Sequence, residues 1–279
     1  MKFKEVPTEA RPRKTRSPVV LCLALLGIVI MAGFAARGSG EIANVPQEHK
    51  KVSLSVQDPR PVAKAIVMLE VRYGWIITYE DPRYVYADDI ADVTEKVRND
   101  LHKYREGEAP RVLIPKGGEL SFGYDVKNQP NSVLDPLVVV QQLLAAQAAS
   151  PNAGKFRMER DNKIIHVIPS AIRDRSGRLA PQQSALDTVV TLAAKERTGL
   201  RTLEALCAAV SKATQTRVVV GTIPLGLFLQ HKDQQGISSR KARDVLVQLL
   251  ESIGKGTKLS WQLFYDPGMK IYALNIHAI

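Results

Sequence analysis

Two stretches of the chain read as one unit written twice, and that constrains the fold more than any single motif does. Near the C-terminal end an apolar helical pattern, Ala242 to Ile253, carries Val245-Leu-Val-Gln-Leu-Leu250 and leads into two alternating runs. The runs are Lys258 to Tyr265 and Lys270 to Ile276, parted by the turn residues Asp266, Pro267 and Gly268. Earlier in the chain the same order occurs: Val139-Val-Gln-Gln-Leu-Leu144, then Lys155 to Glu159, a turn at Asp161-Asn162, and Lys163 to Ile168. Each copy follows another helix and strand. These are Val62 to Tyr73 into Trp75 to Tyr79, and Leu200 to Ala213 into Arg217 to Val220. A fixed order of supersecondary units repeated within a chain marks a modular binding or scaffold architecture.

The repeat divides the 279 residues into two units of ordinary size. Residues 52–170 form the first, with an insertion at about 84–110, and 186–279 form the second. Between them 171–185, rich in Pro, Ser, Gly, Arg and Gln, reads as a linker. The expected class is α+β: two repeated small domains of helices packed on short mixed or antiparallel sheets. Local signals agree. Val52 to Val56 alternates with period two, and Asp58-Pro-Arg-Pro61 supplies a capping carboxylate and early prolines for the helix that Gly74 closes. Asp135-Pro136 opens the next helix, and Ser238-Ser239 reads as the cap of a helix beginning near Arg240.

Ahead of this body, Ser17 to Ala36 is free of charge and close to the length a helix needs to span a membrane. Residues 1–16 are a basic region expected to stay cytoplasmic, which places the tether 37–51 and the body outside. The segment 17–36 is therefore expected to be a transmembrane anchor of the inner membrane. A cleaved signal is the alternative, with Gly33-Phe-Ala35 and Ala36-Arg-Gly38 as imperfect cleavage positions and a free periplasmic body as product. Both readings export residues 37–279.

The 39 basic residues against 28 acidic ones give a net charge of +11, which attracts anionic surfaces in general. The bases are dispersed and aromatics make up 6% of the chain, so no nucleic-acid partner is expected. Five histidines occur, with no His-Glu-x-x-His among them, and there is no Gly-x-Ser-x-Gly elbow. Gly117-Gly118 and Gly254-Lys-Gly256 lack the ending of a phosphate loop and read as turns. Cys22 lies in the apolar run and Cys207 mid-helix, a pattern for neither a disulfide nor a metal. Asp88, Asp89 and Asp92 read as a solvated helix face. Trp261 and Tyr265 share a strand face with Leu259 and Leu263 and read as core. No catalytic, cofactor or metal residue is assigned, and no enzyme activity is expected.

One segment is different. Asp88 to Glu108 mixes charges of both signs with Ile90, Val93, Val97, Leu101 and Tyr104 at helical spacing, which predicts a half-exposed inserted helix. On a repeated scaffold an insertion is where partner specificity can sit, so Ile90, Val93, Val97 and Leu101 are the candidate contacts.

The order strand, helix, strand, then strand, helix and closing hairpin resembles the short N-terminal (STN-like) domain shared by secretins and TonB-dependent receptors. The resemblance is carried by Leu203-Glu-Ala-Leu-Cys207 through Arg217 to Val220, the helix Ala242 to Leu250, and the hairpin Trp261 to Ile276. It is best over 186–279 and looser over 52–170. It implies periplasmic α+β modules that bind protein partners in secretion or signalling. No secretin core, barrel or plug accompanies them here, so it implies module type and not pathway. The expected function is a membrane-tethered envelope protein with two non-catalytic modules for protein–protein interaction. An exported enzyme or binding protein acting on cell wall or another polymer is the alternative, because sites can be assembled from residues distant in sequence.

Overall fold

The computed structural model describes residues 49–127, 134–234 and 236–279. The basic N-region, the apolar run 17–36 and the tether up to residue 48 lie outside the described residues. Among those described, no helix is long and apolar enough to cross a membrane.

The chain opens with strand β1 (His49–Asp58), whose Leu54 and Val56 are buried while Ser53, Ser55 and Gln57 face solvent, the period of two that a half-buried strand requires. Helix α1 (Pro61–Tyr73) starts on a proline and ends at Gly74 with φ +64°, a left-handed conformation that costs glycine little. The Asp58 carboxylate takes the Arg60 N–H at 2.7 Å, one step ahead of the helix. Strand β2 (Ile76–Glu80) follows.

The inserted segment is not one helix. It breaks into a 3₁₀ turn at Ala87–Asp89, β3 (Ile90–Asp92), the four-residue α2 (Thr94–Val97), a second 3₁₀ turn at Leu101–Lys103, and β4 (Leu113–Pro115). Asp92 accepts the Thr94 N–H at 3.0 Å, and the Thr94 hydroxyl accepts the Val112 N–H at 2.8 Å. Such local side-chain bonds compete with helix propagation, and β3 pairs antiparallel with β4.

Next come β5 (Gly118–Lys127), α3 (Pro136–Ala149), β6 (Lys155–Asp161), β7 (Ile164–Arg173) and β8 (Leu179–Pro181). Asp135 caps α3 as expected, accepting the Leu137 N–H at 2.9 Å. Residues 171–185 are not an open linker, because β7 runs through to Arg173 and β8 pairs back on it.

The remainder is β9 (Val189–Leu192), β10 (Arg197–Thr198), α4 (Gly199–Thr214), β11 (Val218–Val220), α5 (Leu225–Gln230), β12 (Lys232–Asp233), β13 (Ile237–Lys241), α6 (Ala242–Gly254), β14 (Leu259–Asp266) and β15 (Ile271–Ala278). The expected Ser238-Ser239 cap is not formed. Those serines lie in β13, which pairs with β9 through a register shift between Ile237 and Arg240. The helix starts at Ala242, whose N–H goes to the Thr188 carbonyl at 2.8 Å. Pairing with a strand nearly fifty residues away overrides the capping preference of serine.

Among the described residues, seven strands form one sheet in the order β11-β15-β14-β2-β7-β6, with β8 alongside the far end of β7. Strands β14, β2 and β7 are parallel, while β6 and β15 run against them. Helices α1 and α3 pack with β1 and β5 over Ile77, Tyr79, Ile165 and Val167. Helices α4 and α6 pack over Leu259, Trp261, Leu263 and Tyr265, and reach Ile164. Successive residues of β7 thus belong to different cores, so the two helix pairs cover opposite faces of the common sheet. The described residues all belong to one compact unit.

Candidate functional site

The joint between β2 and β14 gathers more buried charge than any other described part of the molecule. Gln262 lies opposite Tyr79 and Leu263 opposite Glu80, and the Asp81 N–H reaches the Leu263 carbonyl at 2.8 Å. Asp81 is buried. It accepts Arg60 Nε at 2.6 Å, the Tyr265 N–H at 2.9 Å and the Tyr79 hydroxyl at 2.8 Å. The Arg60 guanidinium continues to the Tyr265 carbonyl at 2.8 Å. Burial pushes the Asp81 pKa up, and the attraction of Arg60 pulls against it.

On the opposite face Glu80 is equally buried. Arg243, from α6, donates through Nε to Glu80 at 2.9 Å and through a second nitrogen to Asp187, and the Ser184 hydroxyl also donates to Glu80. Arg157 reaches Asp187 at 3.1 Å. Desolvation raises the Glu80 pKa against the pull of Arg243. These carboxylates are saturated by guanidinium and hydroxyl donors, so the arrangement holds two strands and a helix in register.

His166 completes the cluster. It bonds the Thr78 hydroxyl through Nδ1 at 2.8 Å and lies against the Trp261 ring, centroids 5.3 Å apart. Burial, reinforced by the Arg243 charge, pushes its pKa from 6.5 down to about 4. The unfolded imidazole therefore binds its proton first as pH falls. Its contribution to stability is complete above about 6.5 and is lost towards pH 4. Between pH 7.5 and 5 the loss from this residue is about 2 kcal/mol. Urea unfolding of wild type and His166→Gln across that range checks it, because Glu80 and Asp81 titrate in both. The difference between the two proteins shrinks by that amount, whereas a constant difference means that His166 protonates within the fold.

The four candidate contacts do not form one stripe. Ile90 packs against the core of α4 and α6, and Val93 is half-buried, its N–H bonded to the Val112 carbonyl at 2.9 Å. Leu101 lines a groove of about 600 Å³ with Thr94, Tyr104 and Arg111. Val97 is 56% and Tyr104 38% exposed. The segment is fastened by Asp89, a buried carboxylate paired in two-pronged fashion with Arg173. The three aspartates read as one solvated face are engaged separately: Asp88 by the Tyr86 hydroxyl, Asp89 by Arg173, and Asp92 by Thr94 and by Arg111 at 3.3 Å.

Cys207 is buried, and desolvation, with a smaller contribution from Glu204, pushes its thiol pKa up to about 12. His277 pairs with Glu70 at 2.9 Å, and His231 lies 3.3 Å from the Ser252 hydroxyl. Among the described residues no group of three His, Cys, Asp or Glu side chains could hold a metal. The residues missed in the sequence, Glu80, Asp81 and Arg243, did leave a signal. Each is an ionisable residue within or at the end of an apolar element, where a charge persists only with a partner.

Comparison with known protein families, with curated proteins and with solved structures found no match.

Proposed function

We propose that this chain is a membrane-tethered envelope protein in which two copies of one non-catalytic, STN-like α+β module present a surface to a protein partner. The copies are 52–170 and 186–279, the first carrying the insertion. Matching registers support the duplication. Strand β1 pairs antiparallel with β5, and β9 with β13. Ile77 of β2 lies opposite Ile165, the second residue of its hairpin's last strand, and Val218 of β11 lies opposite Tyr272, which holds the same place. Both helices before these strands end in a left-handed residue, Gly74 and Gln215. Seven residues after Glu70 and Ser211 respectively, the N–H groups of Ile77 and Val218 bond those side chains. The tether and anchor rest on the uncharged run 17–36 and its basic flank.

The observation that carries the interaction role is the groove of the inserted segment. Leu101 and Tyr104 line it together with Glu95, Lys96, Arg105 and Glu106, charges of both signs, and exposed Val97, outside the lining, stands close to them in sequence. Apolar and aromatic side chains set among charges of both signs suit a contact with a protein surface. In the second half the connection from β11 to β13 carries α5 and β12 instead.

The test is a photo-crosslinking residue in place of Val97 in the full chain, in cells. A discrete envelope-protein adduct is expected there, and none from Val71, an apolar α1 residue that is 82% exposed. Equal adducts from both positions, or none from Val97, would refute the assignment.

A further inference from the structure

Strands β2, β7 and β14 run parallel, so the loops that enter them lie together at one end of the sheet. The end of α1 is there as well, and Lys258, just before β14, donates to the Gly74 carbonyl at 2.7 Å. The chain also enters the body at this end. Strand β1 sets Val52 opposite Tyr124, whose hydroxyl meets that of Tyr73 at 2.8 Å, one residue before Gly74. His49, where β1 begins, therefore belongs to the same end.

The loops here share a chemistry. Arg72, Lys163, Lys255 and Lys258 are exposed, against the exposed carboxylates of Asp161 and Glu251. Trp75 stacks on Tyr73 with ring centroids 4.4 Å apart, and both are half-buried. The Arg72 guanidinium lies over the Tyr73 ring at 5.4 Å. Tyrosine and tryptophan with one side wet, rimmed by Lys and Arg, are the side chains that settle at a membrane–water interface. An anionic leaflet attracts each basic group near it, worth about fivefold in affinity apiece.

We propose that this end docks on the outer leaflet of the membrane that holds residues 17–36, the anchor that such docking presupposes. The basic loops meet anionic phospholipid headgroups, and Trp75 sits at their level. Only residues 37–48 separate the uncharged run from His49, and these twelve residues reach at most about 40 Å. The leaflet is thus always within range, and docking becomes an intramolecular step that weak contacts suffice to drive. It also sets direction. Strand β2 leads from this end to Glu80, and the inserted segment follows at the other end. Docking holds the groove of Leu101 and Tyr104 away from the bilayer, where a partner can approach it.

The full chain, reconstituted in vesicles that carry a nitroxide on a lipid headgroup, tests this through tryptophan emission. The chain has two tryptophans, and Trp261 is wholly buried. In equimolar phosphatidylcholine and phosphatidylglycerol Trp75 is expected to be quenched, and Trp75→Phe removes the quenching. Most of it is lost in pure phosphatidylcholine, in high salt, which screens exposed charges, and in the triple variant Arg72→Gln, Lys163→Gln, Lys255→Gln. Val97→Trp in the Trp75→Phe background stays unquenched in the same vesicles, because the inserted segment points away. Equal quenching with and without anionic lipid, an unaffected triple variant, or equal quenching at positions 75 and 97 overturns the docking. Flotation of the same samples keeps the anchor separate. Protein that floats with phosphatidylcholine vesicles but shows no lipid-dependent quenching refutes the docking alone, whereas protein that fails to float refutes anchor and docking together.

Discussion

Replacing Arg243 by leucine lowers the unfolding free energy by about 3–5 kcal/mol, the range for breaking a buried ion pair from one side. Arg243 is only 3% exposed and lies between Glu80 and Asp187. Leucine fills part of the space but leaves Glu80 buried among apolar groups with one hydroxyl for company. Because the cost arises from the stranded carboxylate, Glu80→Gln in the Arg243→Leu background restores a large part of the loss. Urea unfolding followed by tryptophan emission reads both effects. A loss below about 1 kcal/mol, or a double variant no better than the single one, would show that the pair is solvated in the folded protein.

Leu143→Ala destabilises the protein by about 3–5 kcal/mol, and it does so for residues far from α3. Leu143 is completely buried beneath α1 and β5, and truncating such a side chain costs its transfer free energy plus the cavity left behind. Its core lies on one face of a sheet whose other face carries α4 and α6. The two tryptophans report on different halves: Trp75 packs with the first core and Trp261 is central to the second. In single-tryptophan versions of the protein, both probes should shift to the same lower midpoint. If Trp261 keeps its wild-type midpoint in Leu143→Ala, the halves melt independently and the shared sheet does not couple them.

The elements that were legible in the sequence are those whose signal is local. Pro61 and Gly74 bracket α1, Asp135 caps α3, and the Lys258 to Tyr265 and Lys270 to Ile276 runs fall in β14 and β15 to within a residue or two. Periods of 3.6 and 2 need no knowledge of the rest of the chain. What was illegible depends on distant partners. Ser238 and Ser239 look like a cap until β9 claims them as a strand. Helical spacing in the inserted segment yields to the bonds around Asp92 and Thr94 and to the Asp89–Arg173 pair. That breaks up the stripe of Ile90, Val93, Val97 and Leu101, of which Leu101 reaches the groove and Ile90 the core. The joint itself unites residues about 180 positions apart, and nothing near Tyr79 announces Gln262.

Joining β14 to β2 sets the outer strand of a hairpin parallel to a strand that follows a helix. The sheet's own outermost strands, β6 and β11, are again those two kinds of edge, and a contact between unlike edges does not close on itself; repeated between molecules it would lengthen into a fibre. The termini of the sheet are shaped against this. Strand β11 is three residues long; the Ser211 hydroxyl takes the Val218 N–H at 2.7 Å, and Asn275 Oδ1 takes the Thr222 N–H at 2.9 Å. Strand β6 reads Lys-Phe-Arg-Met-Glu-Arg-Asp, with a charge at every position except Phe156 and Met158. Short, capped and charged edges are how sheets avoid recruiting further strands, and here they confine to a single chain a joint that could otherwise propagate through solution without limit.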